Sequence, residues 1–213
     1  MKTNSKIING IKFWVKADKF LIPQAEILFK AIQSISPNKI RDGYKIEIGF
    51  SVFICEKING GYKILVPDYT NSPLINTTDD LTIALWILLE QAELLNYLGI
   101  DGVPTRFDDE IVIAKNVLEY PTISLQRYSD LGQDVSGWCI EAIEESSEGR
   151  FQSIEAEDYE TIFAYQLLQK RLSLIRVLAL PYEYIVIFNR DEINEILNEK
   201  DESIFTLPKK RLR

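Results

Sequence analysis

The chain of 213 residues contains no histidine. That single absence removes the Ser–His–Asp and Cys–His arrangements and every histidine metal ligand. Any acid–base chemistry would fall to carboxylates, lysine or tyrosine. There are only two cysteines, Cys55 and Cys139, far apart in sequence. They offer neither a zinc-ligand spacing nor a redox pair, and two free thiols in a reducing cytosol is the simplest expectation. GxGxxG, the P-loop, GxSxG and the DxDxDG calcium spacing are all missing, so no cofactor or metal is expected. Long apolar runs are missing too. The most apolar stretch, LTIALWILL at 81–89, has nine residues and is too short to span a membrane. Lysines 6, 12, 16 and 19 interrupt the N-terminal apolar residues, which leaves no signal-peptide core. A cytoplasmic protein with no membrane segment is expected.

Basic residues are outnumbered. Lys and Arg total 24 against 32 Asp and Glu, a net charge of −8. Nucleic-acid binding needs a basic surface to replace phosphate counterions, so it is disfavoured. A basic protein partner suits the charge better, because complementary charge speeds encounter. The plain alternative is that the charge only keeps the chain soluble.

What is present is a set of periodic segments. Residues 7–15 can form a first strand, with Asn9-Gly10 as a turn or bulge. Pro23 suits the first turn of a helix over 23–34. Residues 44–57 alternate, with Tyr44, Ile46, Ile48, Phe50, Val52 and Ile54 on one face and Cys55 on the more polar one. Asn59-Gly60-Gly61 turns this strand into a hairpin with 62–66. After the proline-containing loop 67–78, a helix over 78–98 is expected, with Thr77 and Asp80 as an imperfect capping box and Gly99 as its stop.

GIDGVPTRFDD, 99–109, is the candidate boundary between two lobes, 1–103 and 104–213. Beyond it, strands near 110–118, 122–128 and 137–144 suggest an antiparallel meander. A helix is expected over 157–175, a buried strand over 184–188, and a final helix over 190–199 capped by Asn189 and Glu192. The expected class is therefore α+β: antiparallel sheets with packed helices in two similar-sized lobes.

Candidate chemistry is sparse. Cys139 has Glu141 near it rather than a cation, which favours a structural thiol over a nucleophile. The paired carboxylates Asp79-Asp80, Asp108-Asp109, Glu144-Glu145 and Glu157-Asp158 each have an ordinary explanation in helix starts and solvated loops. The acidic run from Glu141 to Glu160 is more informative, with eight acids and Arg150 as its one base. It reads either as a solvated loop or as a docking surface for a basic protein. In the second case Glu141, Glu144, Glu145 and Glu148 supply charge, and Tyr128 and Trp138 supply aromatic anchors. Trp138 fits the core equally well.

The second half, EIVIAKNVLEYPTISLQRYSD followed by DVSGW, resembles the bacterial immunity-protein family numbered thirty-three of polymorphic toxin systems. The residues that carry the likeness are Asp134, Ser136, Gly137 and Trp138, with Arg127 on the strand before. Val135 separates the aspartate from the serine, and Cys139-Ile140 departs from the usual continuation. Asp42-Gly43-Tyr44 and Pro67-Asp68-Tyr69 extend the likeness into the first half. The resemblance implies a non-enzyme that binds and occludes a cognate toxin, basic if it is a nuclease, with type VI secretion as the delivery route it suggests. An adaptor or chaperone for a secreted effector, and a carboxylate-dependent hydrolase, are the alternatives.

Overall fold

The structure, a computed structural model, describes residues 1–131, 135–143 and 158–206. The chain forms two compact units, Met1–Glu93 and Leu94–Arg213. Each pairs a mainly antiparallel sheet with helices, so the class is α+β.

In the first unit the expected strand over 7–15 is a hairpin, β1 (Lys2–Ile8) and β2 (Ile11–Ala17). Asn9 (φ 51°) and Gly10 (φ 79°) both take left-handed backbone, the two-residue turn that matches strand twist. Lys2 and Lys6 lie on the edge strand β1, and charge there discourages edge-to-edge pairing. Helix α1 (Ala25–Ser34) follows a 3₁₀ turn that begins at Ile22, and it buries Ala25, Leu28, Phe29 and Ile32. This agrees with the helix expected from Pro23.

The long strand expected over 44–57 is a second hairpin. β3 (Tyr44–Ile48) and β4 (Ser51–Ile58) pair across Gly49-Phe50. Gly49 takes φ 56°, and a Cβ there would lie 2.8 Å from Leu88 Cδ2. The two-residue turn reverses which parity faces the core. Ile46 stands opposite Phe53 and Tyr44 opposite Cys55, so Cys55 lies on the buried face, not the polar one. Burial pushes its thiol up to about 11.

Strand β5 (Gly61–Pro67) returns as expected and also runs parallel to β2, with Gly61 beside Lys12. A Cβ on Gly61 would sit 2.0 Å from the Lys12 carbonyl oxygen, so this approach needs glycine. Thr77–Thr78 forms a short strand, β6, against β5. Thr77 therefore does not cap the next helix. Asp80 Oδ1 does so, accepting from Thr82 N (3.1 Å) and Thr82 Oγ1 (2.6 Å). Helix α2 (Thr82–Leu98) ends at Gly99 (φ 67°), with Ile100 N–H donating to Leu95 O.

The second unit holds a seven-stranded sheet. Its strands are β7 (Glu110–Ala114), β8 (Thr122–Arg127), β9 (Val135–Ala142), β10 (Tyr159–Phe163), β11 (Ile185–Asn189), β12 (Glu192–Leu197) and β13 (Ser203–Thr206). Their order is β10-β7-β9-β8-β11-β12-β13. β7 and β9 are parallel neighbours, so the expected meander gives way to a mixed sheet.

The helix expected over 157–175 does not form. Tyr159, Thr161 and Phe163 are β-formers, and the free edge of β7 captures them as β10. Beyond β10 come a 3₁₀ turn (Ala164–Gln166), one turn of helix α3 (Leu167–Lys170) and a 3₁₀ stretch (Leu172–Val177). Arg171 breaks the helix at φ −159° and ψ 83°. Its guanidinium donates to the carbonyls of Leu118, Tyr120 and Arg190.

The helix expected over 190–199 is strand β12. Arg190 (φ 57°) and Asp191 make a hairpin turn, and Asn189 pairs with Glu192 instead of capping. Ile193 opposes Phe188 and Ile196 opposes Val186, with the register shifted between. The extra residue of this bulge puts two isoleucines three apart on one buried face. That spacing imitates a helix.

Candidate protein-interaction site

β8 and β9 place the residues of interest. Their register sets Leu125 against Ile140 and Arg127 against Trp138 on the core face, and Gln126 against Cys139 and Ser124 against Glu141 on the other. This follows from strand alternation alone.

On the core face Arg127 is fully buried. Its Nε donates to Ser136 O (3.1 Å), Nη1 to Val103 O and Leu180 O (both 2.6 Å), and Nη2 to Pro104 O (3.2 Å). The guanidinium carbon lies 4.5 Å from the Tyr182 ring centroid and 5.6 Å from the Trp138 ring. A buried cation is tolerable only when its donors are satisfied, and here neutral carbonyls do that. Burial depresses its pKa, while Tyr182 and Asp109 act in the opposite direction.

The SGW residues complete this constellation. Ser136 Oγ donates to Glu110 O (2.8 Å). Gly137 takes φ 85°, and a Cβ on it would sit 2.3 Å from Tyr128 O and 3.1 Å from Tyr182 Cε1. Its own carbonyl accepts from Tyr128 N (2.8 Å). Trp138 is wholly buried, with Nε1 donating towards Thr105 Oγ1 (3.1 Å) and Leu178 O (3.2 Å). Of the two roles expected for Trp138, anchor or core, the structure gives it the core. An indole with no exposure cannot meet a partner without unfolding its surroundings.

The opposite face carries Tyr128, Cys139, Glu141 and Tyr159. Tyr159 OH donates to Glu141 Oε1, and Tyr128 OH donates to Gln126 Oε1 (2.8 Å). Burial, then the hydrogen bond and negative charge of Glu141, hold the Tyr159 phenol far above its usual range. Tyr128 is raised by burial first and by Glu141 second. Burial, helped by Glu141, pushes the Cys139 thiol up to about 12, so it is no nucleophile. Tyr128 and Glu141 are thus brought to one half-exposed face. Asp134, Glu144, Glu145 and Glu148 lie outside the described residues.

The carboxylate pairs within the described residues have local work. Asp79 bridges Lys16 (3.0 Å), Asp80 caps α2, Asp108 bridges Arg106 (3.1 Å), and Asp109 accepts from Arg106 N (2.7 Å). Among the described residues no three Cys, Asp or Glu gather as metal ligands.

A family model described as the Imm33-like domain matches residues 90–199, just over half the chain. The chain belongs to the Imm33-like family. The matched span of this Imm33-like protein runs from within α2 through β12, and it contains the Arg127–Trp138 constellation. Asp42-Gly43-Tyr44 and Pro67-Asp68-Tyr69 fall outside that span. No curated protein and no solved structure matches the chain.

Two residues near this constellation escaped the sequence reading. Tyr182 and Glu183 sit in a turn between Pro181 and β11, and the one signal there was a proline beside two tyrosines. Among the described residues no helix is long and apolar enough to cross a membrane.

Proposed function

We propose that this Imm33-like protein is an immunity protein. It binds a cognate toxin, without catalysis of its own, and blocks the toxin's active site in the producing cell's cytoplasm. The observation that carries this reading is the family match over residues 90–199. Charge distribution supports it. Met1–Glu93 holds 11 Lys and Arg against 10 Asp and Glu, whereas Leu94–Arg213 holds 13 against 22. The second unit therefore carries all of the net negative charge, as a surface that meets a basic protein would. A nuclease is the toxin class that fits best, because phosphate-binding sites are basic. Type VI secretion is the delivery route proposed.

The proposed contacts are Tyr128 and Glu141 on the half-exposed face, with Asp134, Glu144, Glu145 and Glu148. Trp138 contributes from behind by fixing β9. An interface on the order of 1,600 Å² is expected, with salt-sensitive binding.

The test is co-expression with the C-terminal domain of the toxin encoded in the adjacent reading frame. Rescue of growth, with a stable complex whose toxin activity is blocked, supports immunity. A complex that leaves the toxin fully active would point to an adaptor. No complex and no rescue would end the immunity reading for that pair.

A further inference from the structure

The Arg127 constellation reaches the surface at one point. Tyr182 stacks on the buried guanidinium at 4.5 Å, yet the residue remains 41% exposed. Gly137 leaves the space beneath it, since a Cβ there would press on Tyr182 Cε1 at 3.1 Å. The ring is therefore held in place by the interior while presenting area to solvent.

Glu183 follows in left-handed backbone, φ 66°. A non-glycine residue persists there only when its surroundings over-determine it. Here Glu183 N donates to Arg127 O (2.6 Å), and its carboxylate accepts from Ser129 N (3.0 Å). This second bond ties the turn to the segment bearing exposed Asp130 and Leu131. A rigid aromatic beside a fixed carboxylate is the form of an interface hot spot, because little side-chain freedom is left to lose on binding.

We propose that Tyr182 and Glu183, flanked by Asp130 and Leu131, form a docking platform for an arginine or lysine of the cognate toxin. The inference rests on the immunity reading above. Arg127 already occupies the inner face of the Tyr182 ring and repels a second cation from it. The ring therefore offers apolar contact to the aliphatic stem, and the charged head reaches the carboxylates of Glu183 and Asp130. The constellation around Gly137 and Trp138 then acts indirectly. It builds the platform without touching the partner.

The experiment measures affinity of the full chain for the toxin domain encoded in the adjacent reading frame, alongside thermal stability. Tyr182→Ala removes the ring and Tyr182→Phe keeps it. Glu183→Gly removes the carboxylate at a position whose backbone suits glycine, so it folds even where Tyr182→Ala does not. Glu119→Lys is a charge reversal at an exposed residue outside the platform. Tyr182→Ala and Glu183→Gly are expected to weaken binding at least about tenfold, while Tyr182→Phe and Glu119→Lys bind like wild type. Binding of Glu183→Gly and folded Tyr182→Ala within about twofold of wild type would overturn the platform and leave the immunity reading standing. A wild-type chain that does not bind overturns both.

Discussion

Arg127 and Trp138 stand directly opposite each other on β8 and β9, with the guanidinium carbon 5.6 Å from the indole ring. Neither side chain reaches solvent. Between them they satisfy the carbonyls of residues 103, 104, 136, 178 and 180, which belong to two separate loops and a strand end. The pair is a joint in the second unit.

Arg127→Met should cost about 3 kcal/mol or more, since it strands several buried carbonyls. Arg127→Lys should recover little of this, because an ammonium cannot span the same set of acceptors. Urea unfolding curves measure it, and a loss below about 1 kcal/mol for both variants would refute the joint.

Gly137→Ala should destabilise by about 2 kcal/mol or more. Both the left-handed backbone and the 2.3 Å approach to Tyr128 O oppose a methyl group. An unchanged melting temperature would contradict the geometry.

Alkaline pH should destabilise the fold. The thiols of Cys55 and Cys139 rise from 9.0 to about 11 and about 12, so the unfolded chain loses those protons first. Their contribution is complete below about pH 9 and is lost as pH rises through 11 to 12. Tyr159 and Tyr128 are raised as well and act in the same sense. Native thiols should resist iodoacetamide at pH 8 and react in denaturant. Rapid labelling of the native protein would show that burial is not as described.

Deleting Asn194 should remove the bulge in β12. Ile193 and Ile196 then stand two apart in regular alternation and both still face the core, so the cost should stay within about 1 kcal/mol. Denaturation of the deletion variant checks it, and a loss above about 3 kcal/mol would mean that the bulge itself is needed for the fold.

Legibility in the sequence followed the range of the interactions. Helix α1, helix α2 with its Gly99 stop, and the hairpin at Asn59-Gly60 were readable because local residues determine them. The acids beyond Glu141 were visible as composition, although their arrangement was not. Tyr182 and Glu183 gave almost no signal, because their importance comes from Arg127, more than fifty positions earlier.

By itself the sequence determined the α+β class, the absence of histidine chemistry, the inert character expected of Cys139 and the resemblance to immunity family thirty-three. Each depends on residue type or short-range pattern. The tertiary structure alone decided that 159–163 is a strand, that the Ile193–Ile196 spacing is a bulge, that Cys55 faces inward and that Trp138 is core. In each case the decision came from strand pairing and burial, not from the pattern of the segment itself. A free strand edge, a two-residue turn that reverses parity, or a set of unpaired carbonyls makes a weak local preference yield to hydrogen bonding and burial.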